Sequence, residues 1–322
     1  MRTYVRMYAE LHCHSAFSFL DGASLPEELA ITAGELGYEA LALTDHNTVS
    51  GSMEFAMSAQ WLGLHAIHGA ELDLDDGRHL TLLVEDQVGW SNLCRLLTRA
   101  HRDTRSGSGG GPLAPPNVNL TDVLEHSEGL VCCSGCYSRG VHDEAALARL
   151  RDAFGTERLR VELQRPYLAG DRARNRRLDR LARRLELACV ATGNVHAHTR
   201  ARAPLQDALV AIRLRSTLDD SEPQRRGNFS HVLASPGAMA ARFPEHPEAI
   251  AESARLAERL RFDLRADLGY RYPGAEDAAK LRELSELCHQ RLHERYGDQG
   301  AHAFDVAAAR LQQELKIIEK LH

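Results

Sequence analysis

Two histidines one residue apart, His12 and His14, stand in the stretch AELHCHSAFSFLDG at residues 9–22, which ends on Asp21 and Gly22. On a strand, alternation turns both imidazoles to one side. Two neutral imidazoles facing one way serve each other poorly and a divalent cation well. A lone His-x-His is weak evidence in a chain of 17 histidines, so the test is whether other donors recur in comparable places. They do. Strand-like stretches end in Asp45-His46-Asn47, carry Glu71 in GAELDL, run into Cys136 through CCSGC, and close on Asn194-Val195-His196-Ala197-His198. The helix that follows a hairpin signal ends at His101. In parallel β/α folds functional side chains gather at the carboxyl ends of strands. The recurrence therefore points to a cation site of nitrogen, oxygen and sulfur donors.

Each donor also has a plainer reading. His46 stands where a helix cap is needed, although Asp45 and Asn47 are better cap residues. Glu71 would serve as a strand-edge carboxylate and His101 as an exposed helix residue. His79, beside a turn, is expected at the surface or behind the ligands, and His65, His68, His126 and His142 are expected to be structural. Cys132-Cys133-x-x-Cys136 lacks the second pair of a zinc ribbon; one thiolate ligand at Cys136 and two packed cysteines is the preferred account. Asp73 and Asp75 precede Asp76-Gly77 and read as turn residues.

The elements that would position these groups alternate over residues 7 to about 215. Strands are expected at 7–12, 39–44, 64–73, 78–84, 129–134, 158–163 and 188–194, and helices at 26–36, 51–62, 89–101, 143–154 and 172–187. The Asp-Asp-Gly between the third and fourth strands is a hairpin signal, and the remaining connections suit βα crossovers. The fold class is α/β, either a β/α barrel or an open sheet. The Gly/Pro-rich residues 105–118 read as a mobile loop. Beyond 235 the pattern turns helical, and the last amphipathic helix stops without a cap, as in a module that continues in relatives.

The composition is that of an ordinary soluble protein, 43% apolar and 26% charged over 322 residues. No apolar run approaches a membrane span, and MRTYVRMYAE lacks the apolar centre of a signal peptide, so a cytoplasmic location is expected. Seven cysteines without framework spacing argue for reduced thiols. The net charge of −6 offers nucleic acid no global attraction. Only three of the 39 basic residues are lysine, which reads as composition bias, and RARNRRLDRLARR at 172–184 reads as a solvated helix face.

Assembled, the segments YAELHCHSAFSFLDGAS, LALTDHNTVSG, GAELDL, LLTRAH, SGC and ATGNVHAH resemble the PHP (polymerase and histidinol phosphatase) domain. The resemblance is closest to the N-terminal PHP domain of the error-prone type of bacterial DNA polymerase III alpha subunit. It implies a distorted seven-stranded β/α barrel over 1–235 and a C-terminal helical extension over 236–322 that leads, in the polymerase, into the palm. The palm, fingers and DNA-binding modules lie beyond this stretch, so the chain by itself is not expected to polymerise DNA. The resemblance also implies up to three divalent ions held by nine positions. Here these are His12, His14, Asp21, His46, Glu71, His101, Cys136, Asn194 and His196. The family commonly has Asp where this chain has Asn194, and the amide removes a negative charge that helps hold clustered cations. The mixed donor set suits Zn, Mn or Fe.

Clustered divalent ions lower the pKa of bound water and stabilise an in-line displacement at phosphorus. The first expectation is thus a metal-dependent phosphoesterase, with 3′→5′ exonuclease action on a DNA 3′ end ranked above phosphomonoester hydrolysis. His12, His14, Asp21, His46, Glu71 and His196 would then be direct ligands, with His198 behind them or facing phosphate. The second expectation is a metal-stabilised scaffold supporting a polymerase or translesion partner. The third is a small-metabolite phosphatase resembling histidinol phosphatase, acting on a phosphorylated small molecule. No membrane role is expected.

Overall fold

Short strands that are apolar on both faces need a layer on each side. The computed structural model describes residues 8–104, 114–268, 278–298 and 300–320. One six-stranded sheet runs in chain order: β1 (Ala40–Leu43), β2 (His65–Asp73), β3 (His79–Val84), β4 (Leu130–Cys133), β5 (Leu159–Gln164) and β6 (Ala188–Thr192). The pairs β1–β2, β4–β5 and β5–β6 are parallel, while β3 is antiparallel to both neighbours. The Asp-Asp-Gly turn makes that reversal, with Gly77 at φ 84. Because Val84 at the end of β3 lies beside Leu130 at the start of β4, the helical excursion between these two strands returns to the same end of the sheet and is not a crossover. A further consequence is that the first residue of β3, not its last, lies level with the carboxyl ends of the other strands.

Helices α1 (Pro26–Glu35), α2 (Ser52–Trp61), α3 (Gln87–Arg102), α5 (Glu144–Phe154) and α6 (Asp171–Arg184) fall where periodicity places them. The structure adds α4 (Leu120–Glu125) and α7 (Ala203–Leu214). Most of the loop expected at 105–118, residues 105–113, lies outside the described residues.

The expected strand at 7–12 does not form among the described residues. Residues 8–14 instead touch both ends of the sheet through isolated bridges, Glu10 with Leu41 and Cys13 with Val195. The cause is side-chain capture of the backbone. The amides of Ala9, His12 and Cys13 donate to Ser253 Oγ, Glu10 Oε1 and Thr44 Oγ1 at 3.0–3.1 Å instead of entering a ladder. The Ala42 and Thr44 amides still donate to the Glu10 and Cys13 carbonyls, and the His14 amide to that of Val195, each at 2.8 Å.

One face of the sheet divides along its length. Ile67, Leu83 and Val190 bury with Leu256, Ala257 and Leu260, contributed by α9 (Pro247–Arg259) and the residue after it. By strand alternation, Glu71, His79 and Thr192 share those residues' face on the same strands. The face is apolar where α9 covers it and polar towards the other end.

The contacts separate one unit, Met1–Leu268, from a second, Gly269–His322. The division lies beyond the expected break at 235/236, because Met239 of α8 (Pro236–Arg242), Phe243, and Ile250 and Leu256 of α9 join the cores of the first unit. Within the second unit α10 (Ala278–Tyr296) packs with α11 (Ala301–Lys320). Among the described residues no helix is long and apolar enough to cross a membrane.

His68, expected to be structural, is buried among the edges of Phe55, Trp90 and Phe262, each ring centre 6.3 Å away, and its Nδ1 has no partner. Burial holds its pKa down to about 4. The unfolded chain takes up this proton below about 6.5 and the folded chain refuses it until about 4. Stability therefore falls as pH drops through that window, by about 3 kcal/mol in all at about 1.4 kcal/mol per unit. His68→Phe is expected to flatten the decline of the urea midpoint between those pH values. Equal slopes for the two chains would refute this account.

Candidate metal centre

The turn after His14 is built around one buried carboxylate. Asp45 accepts from the Ser15 amide at 2.6 Å and from the hydroxyls of Ser15 and Ser18 at 2.7 and 2.6 Å. Ser18 Oγ in turn accepts from the His46 amide at 3.0 Å, tying the two histidine-bearing segments together. Gly22 closes the turn so tightly that a Cβ there would stand 1.8 Å from the Ser15 carbonyl oxygen, which places Asp21 beside the sheet. Asn47, at φ 51, exchanges hydrogen bonds with Asp73 through both ends of its amide. Asp45 and Asn47 are thus braces for the site rather than helix caps.

These segments surround a cavity of about 800 Å³ lined by Asp21, His46, Glu71, His79, Asn194 and His196, among others. His12 and His14 are fully buried behind it. Glu71 is the hub. Its Oε2 lies 2.7 Å from His12 Nε2 and 3.9 Å from His14 Nε2; its Oε1 lies 2.8 Å from His46 Nδ1 and 2.9 Å from His79 Nδ1. At the other end, Asp21 Oδ2 stands 3.1 Å from His196 Nε2 and 3.4 Å from His46 Nε2. The His14 ring lies between those of His46 and His196, 4.6 and 4.3 Å from their centres.

Three donor sets converge, each within 4.8 Å: His14, His46 and His196; His12, His14 and Glu71; His46, Glu71 and Asp73. Two ligands about 2.1 Å from one ion stand roughly 3.0–3.4 Å apart, close to the spacings seen here. Five buried atoms in this region make no well-aligned hydrogen bond: His14 Nε2, Asn194 Oδ1, Glu71 Oε1 and His79 Nδ1, which face each other, and Asp73 Oδ1, 3.6 Å from Arg139 Nη1. Buried polar atoms are normally satisfied, and such a gathering of under-bonded oxygen and nitrogen atoms fits divalent cations.

The electrostatics agree. Burial would lower His46, but the carboxylates of Glu71 and Asp21 outweigh it and raise it to about 10. His79 is raised to about 9 against the same burial, with Glu71 the main cause. For Cys136, burial pushes the thiol up, but His79 and Ser138 outweigh it and bring it to about 7. Protons on these imidazoles stand where cations would, so cation uptake at this place must release protons.

Of the expected site residues, His12, His14, Asp21, His46, Glu71, Asn194 and His196 come together. Cys136 borders the same cavity and reaches it through His79, whose Nε2 accepts from the Cys136 amide at 3.0 Å. His101 lines the cavity but turns its Nε2 to the Asn47 carbonyl at 2.8 Å and joins none of the three donor sets. His198 pairs with Ser24 Oγ at 2.7 Å, and no polar contact links it to the donor sets. Cys132 and Cys133 are packed in the core as expected.

Three contributors went unread, and a fourth, His79, was expected only at the surface or behind the ligands. His79 is in the site because the hairpin reverses β3 and turns its first residue inward. Asp73, read as a turn residue, belongs to a donor set. Glu162 in β5 holds His12, its Oε1 being 2.6 Å from His12 Nδ1. Arg226 reaches Asp21 from 205 residues away, a separation that leaves no local signal.

Comparison with known proteins follows the same line. The PHP domain family model matches residues 10–166. An error-prone DNA polymerase of Symbiobacterium thermophilum is 37% identical over 98% of this chain and 30% of its own length. Among solved structures, a candidate metal-dependent phosphoesterase from Bifidobacterium adolescentis shares 17% identity at a TM-score of 0.46, over 59% of this chain and 88% of the other. A lesion-specific endonuclease from Pyrococcus furiosus shares 14% identity at a TM-score of 0.39, over 59% and 48%. Both structural likenesses are loose.

Proposed function

Residues 10–166 are a PHP domain in a chain related to the error-prone DNA polymerases, and from that premise we propose a divalent-metal phosphoesterase whose first substrate is the 3′ end of a DNA strand. The observation that carries the reading is the convergence of three donor sets that share His14, His46 and Glu71, within which His14 Nε2 and Glu71 Oε1 make no hydrogen bond. His12, His14, His46 and Glu71 would be the main ligands, with Asp73 added from the geometry, His79 behind Glu71, and Asp21 and His196 at the far end of the cavity. Cys136 and Asn194 border the set, and His101 would need to turn from Asn47 to join it. Divalent ions bound there, of the Zn, Mn or Fe type, supply Lewis acidity towards a phosphoryl oxygen and an acidified water.

The chain's own groups do the remaining work. Glu162 holds His12 through Nδ1 and turns its Nε2 to Glu71 Oε2 at 2.7 Å. The Asn194 carbonyl takes the Nδ1 proton of His196 at 2.9 Å and fixes the other nitrogen as an acceptor. Arg139, Arg213 and Arg225 line the cavity and would meet a phosphodiester, and the half-exposed Phe17 and exposed Phe19 offer faces on which a terminal base could stack. The chain spans less than a third of the length of the polymerases it matches, so the polymerase context, translesion partners and a cytoplasmic setting are part of the proposal.

A second reading is a scaffold that binds metal without catalysis, and Asn194 favours it by withholding one negative charge from the cations. Chelator-stripped chain reloaded with Mn or Zn separates the two. It is expected to shorten a 3′-labelled single strand and, more slowly, to cleave p-nitrophenyl phosphate, and His12→Ala/His14→Ala is expected to abolish both. Metal-replete wild-type chain that cleaves neither would refute the enzyme; activity surviving the double change would refute this site.

A further inference from the structure

We propose that the guanidinium of Arg226 permanently occupies the Asp21–His196 end of the cavity, so that the centre takes two divalent ions and one fixed organic cation rather than three ions. This rests on the metal-centre reading above. Arg226 Nη1 donates to Asp21 Oδ1 at 2.9 Å and Nη2 to Oδ2 at 3.2 Å, the two-pronged match of a planar guanidinium to a carboxylate. The same Nη2 lies 2.5 Å from His196 Nε2. His196 Nδ1 is engaged with the Asn194 carbonyl, so the lone pair of that ring is on Nε2, and Arg226 takes it.

Asp21 is otherwise occupied as well. Its Oδ1 lies 3.1 Å from Arg213 Nη1 and accepts from Gln206 at 3.4 Å. Both oxygens of this carboxylate therefore have partners. At the other end of the cavity the carboxylate faces imidazoles rather than guanidinium groups: Glu71 Oε1 lies 2.8 and 2.9 Å from His46 Nδ1 and His79 Nδ1, and His14 Nε2 makes no hydrogen bond. Near Asp21 and His196 the buried atoms that make no hydrogen bond are His14 Nε2 and Asn194 Oδ1, the latter a neutral amide oxygen, and neither is a carboxylate. A dication entering there would have to expel a guanidinium that never loses its charge and would find one carboxylate to compensate it. With Asn194 in place, one positive charge matches this end better than two.

The experiment is a count of bound ions. Chain stripped with a chelator is dialysed to saturation against Mn2+ or Zn2+, and metal is measured against protein. Wild type is expected to saturate at two ions per chain, and Arg226→Met/Asn194→Asp at three, with circular dichroism unchanged. Three ions in the wild type would overturn the proposal, as would a folded double variant that stops at two. Should the double variant not fold, the wild type decides alone: the 15N signal of the Arg226 side chain is expected to stay put on metal saturation, and its release to the position of a free guanidinium overturns the proposal. Absence of bound metal and of any metal-dependent rise in Tm in both chains is a separate result, and it removes the metal centre itself.

Discussion

Glu71→Gln is expected to cost the centre at least one bound ion per chain and to lower phosphoester hydrolysis about a thousandfold. The substitution keeps size and shape but replaces an anion by a neutral amide. Glu71 stands within 2.7–2.9 Å of His12, His46 and His79, so no other carboxylate in the cavity meets as many imidazoles. The amide nitrogen cannot ligate, and it would aim protons at imidazole nitrogens that should themselves be free to ligate. Loss of one bound cation removes several kcal/mol of transition-state stabilisation, and about 4 kcal/mol is a thousandfold in rate. A readout independent of activity follows from linkage. A ligand at about a thousand times its Kd stabilises the fold by about 4 kcal/mol, so the wild-type Tm should climb with added metal and that of the variant should barely move. A variant with wild-type metal content and a wild-type Tm response would show that Glu71 is not the hub.

The parts of this molecule that were legible in its sequence are those with a local period or a local terminus. β1 to β6 and five of the helices announce themselves through alternation and amphipathic spacing. His12, His14, His46, Glu71 and His196 were found because donors at successive strand ends are rare by chance. What escaped was non-local. The direction of β3 decides that His79 faces the cavity, and a reading that counts carboxyl ends of strands looks at the wrong end of this one. The segment at 8–14 has a strand's pattern, but Glu10, Thr44 and Ser253 capture its amides, and Ser253 is 244 residues distant. The boundary after Leu268 was missed because a change from mixed to helical pattern at 235 marks a change in composition, while α9 remains part of the first core. Arg226 carries no motif; only the folded chain shows that it faces Asp21.

Glu162 is the most informative of the residues that the sequence concealed, and its removal is the second large effect expected. In LRVELQ it looks like a polar residue on an ordinary strand, yet alternation puts Arg160, Glu162 and Gln164 on one face, and all three are buried. Glu162 Oε1 lies 2.6 Å from His12 Nδ1, and it accepts from Gln164 and from the Thr192 hydroxyl. Burial would lower the pKa of His12, but Glu162 and Glu71 outweigh it and hold it well above the ordinary value. A carboxylate behind a ligating imidazole fixes its tautomer and strengthens its other nitrogen as a donor, and loss of such a partner weakens metal binding about 10- to 100-fold. Glu162→Gln keeps an oxygen for the Nδ1 proton and loses the charge; it is expected near the lower figure. Glu162→Ala loses both and is expected near the upper one. A residue that merely filled the core would lower Tm in the alanine variant and leave the metal Kd of both variants at the wild-type value. Graded weakening in the order wild type, Gln, Ala is what positioning of His12 requires, because the graded quantity is the basicity of the ligand and not the stability of the strand that carries it.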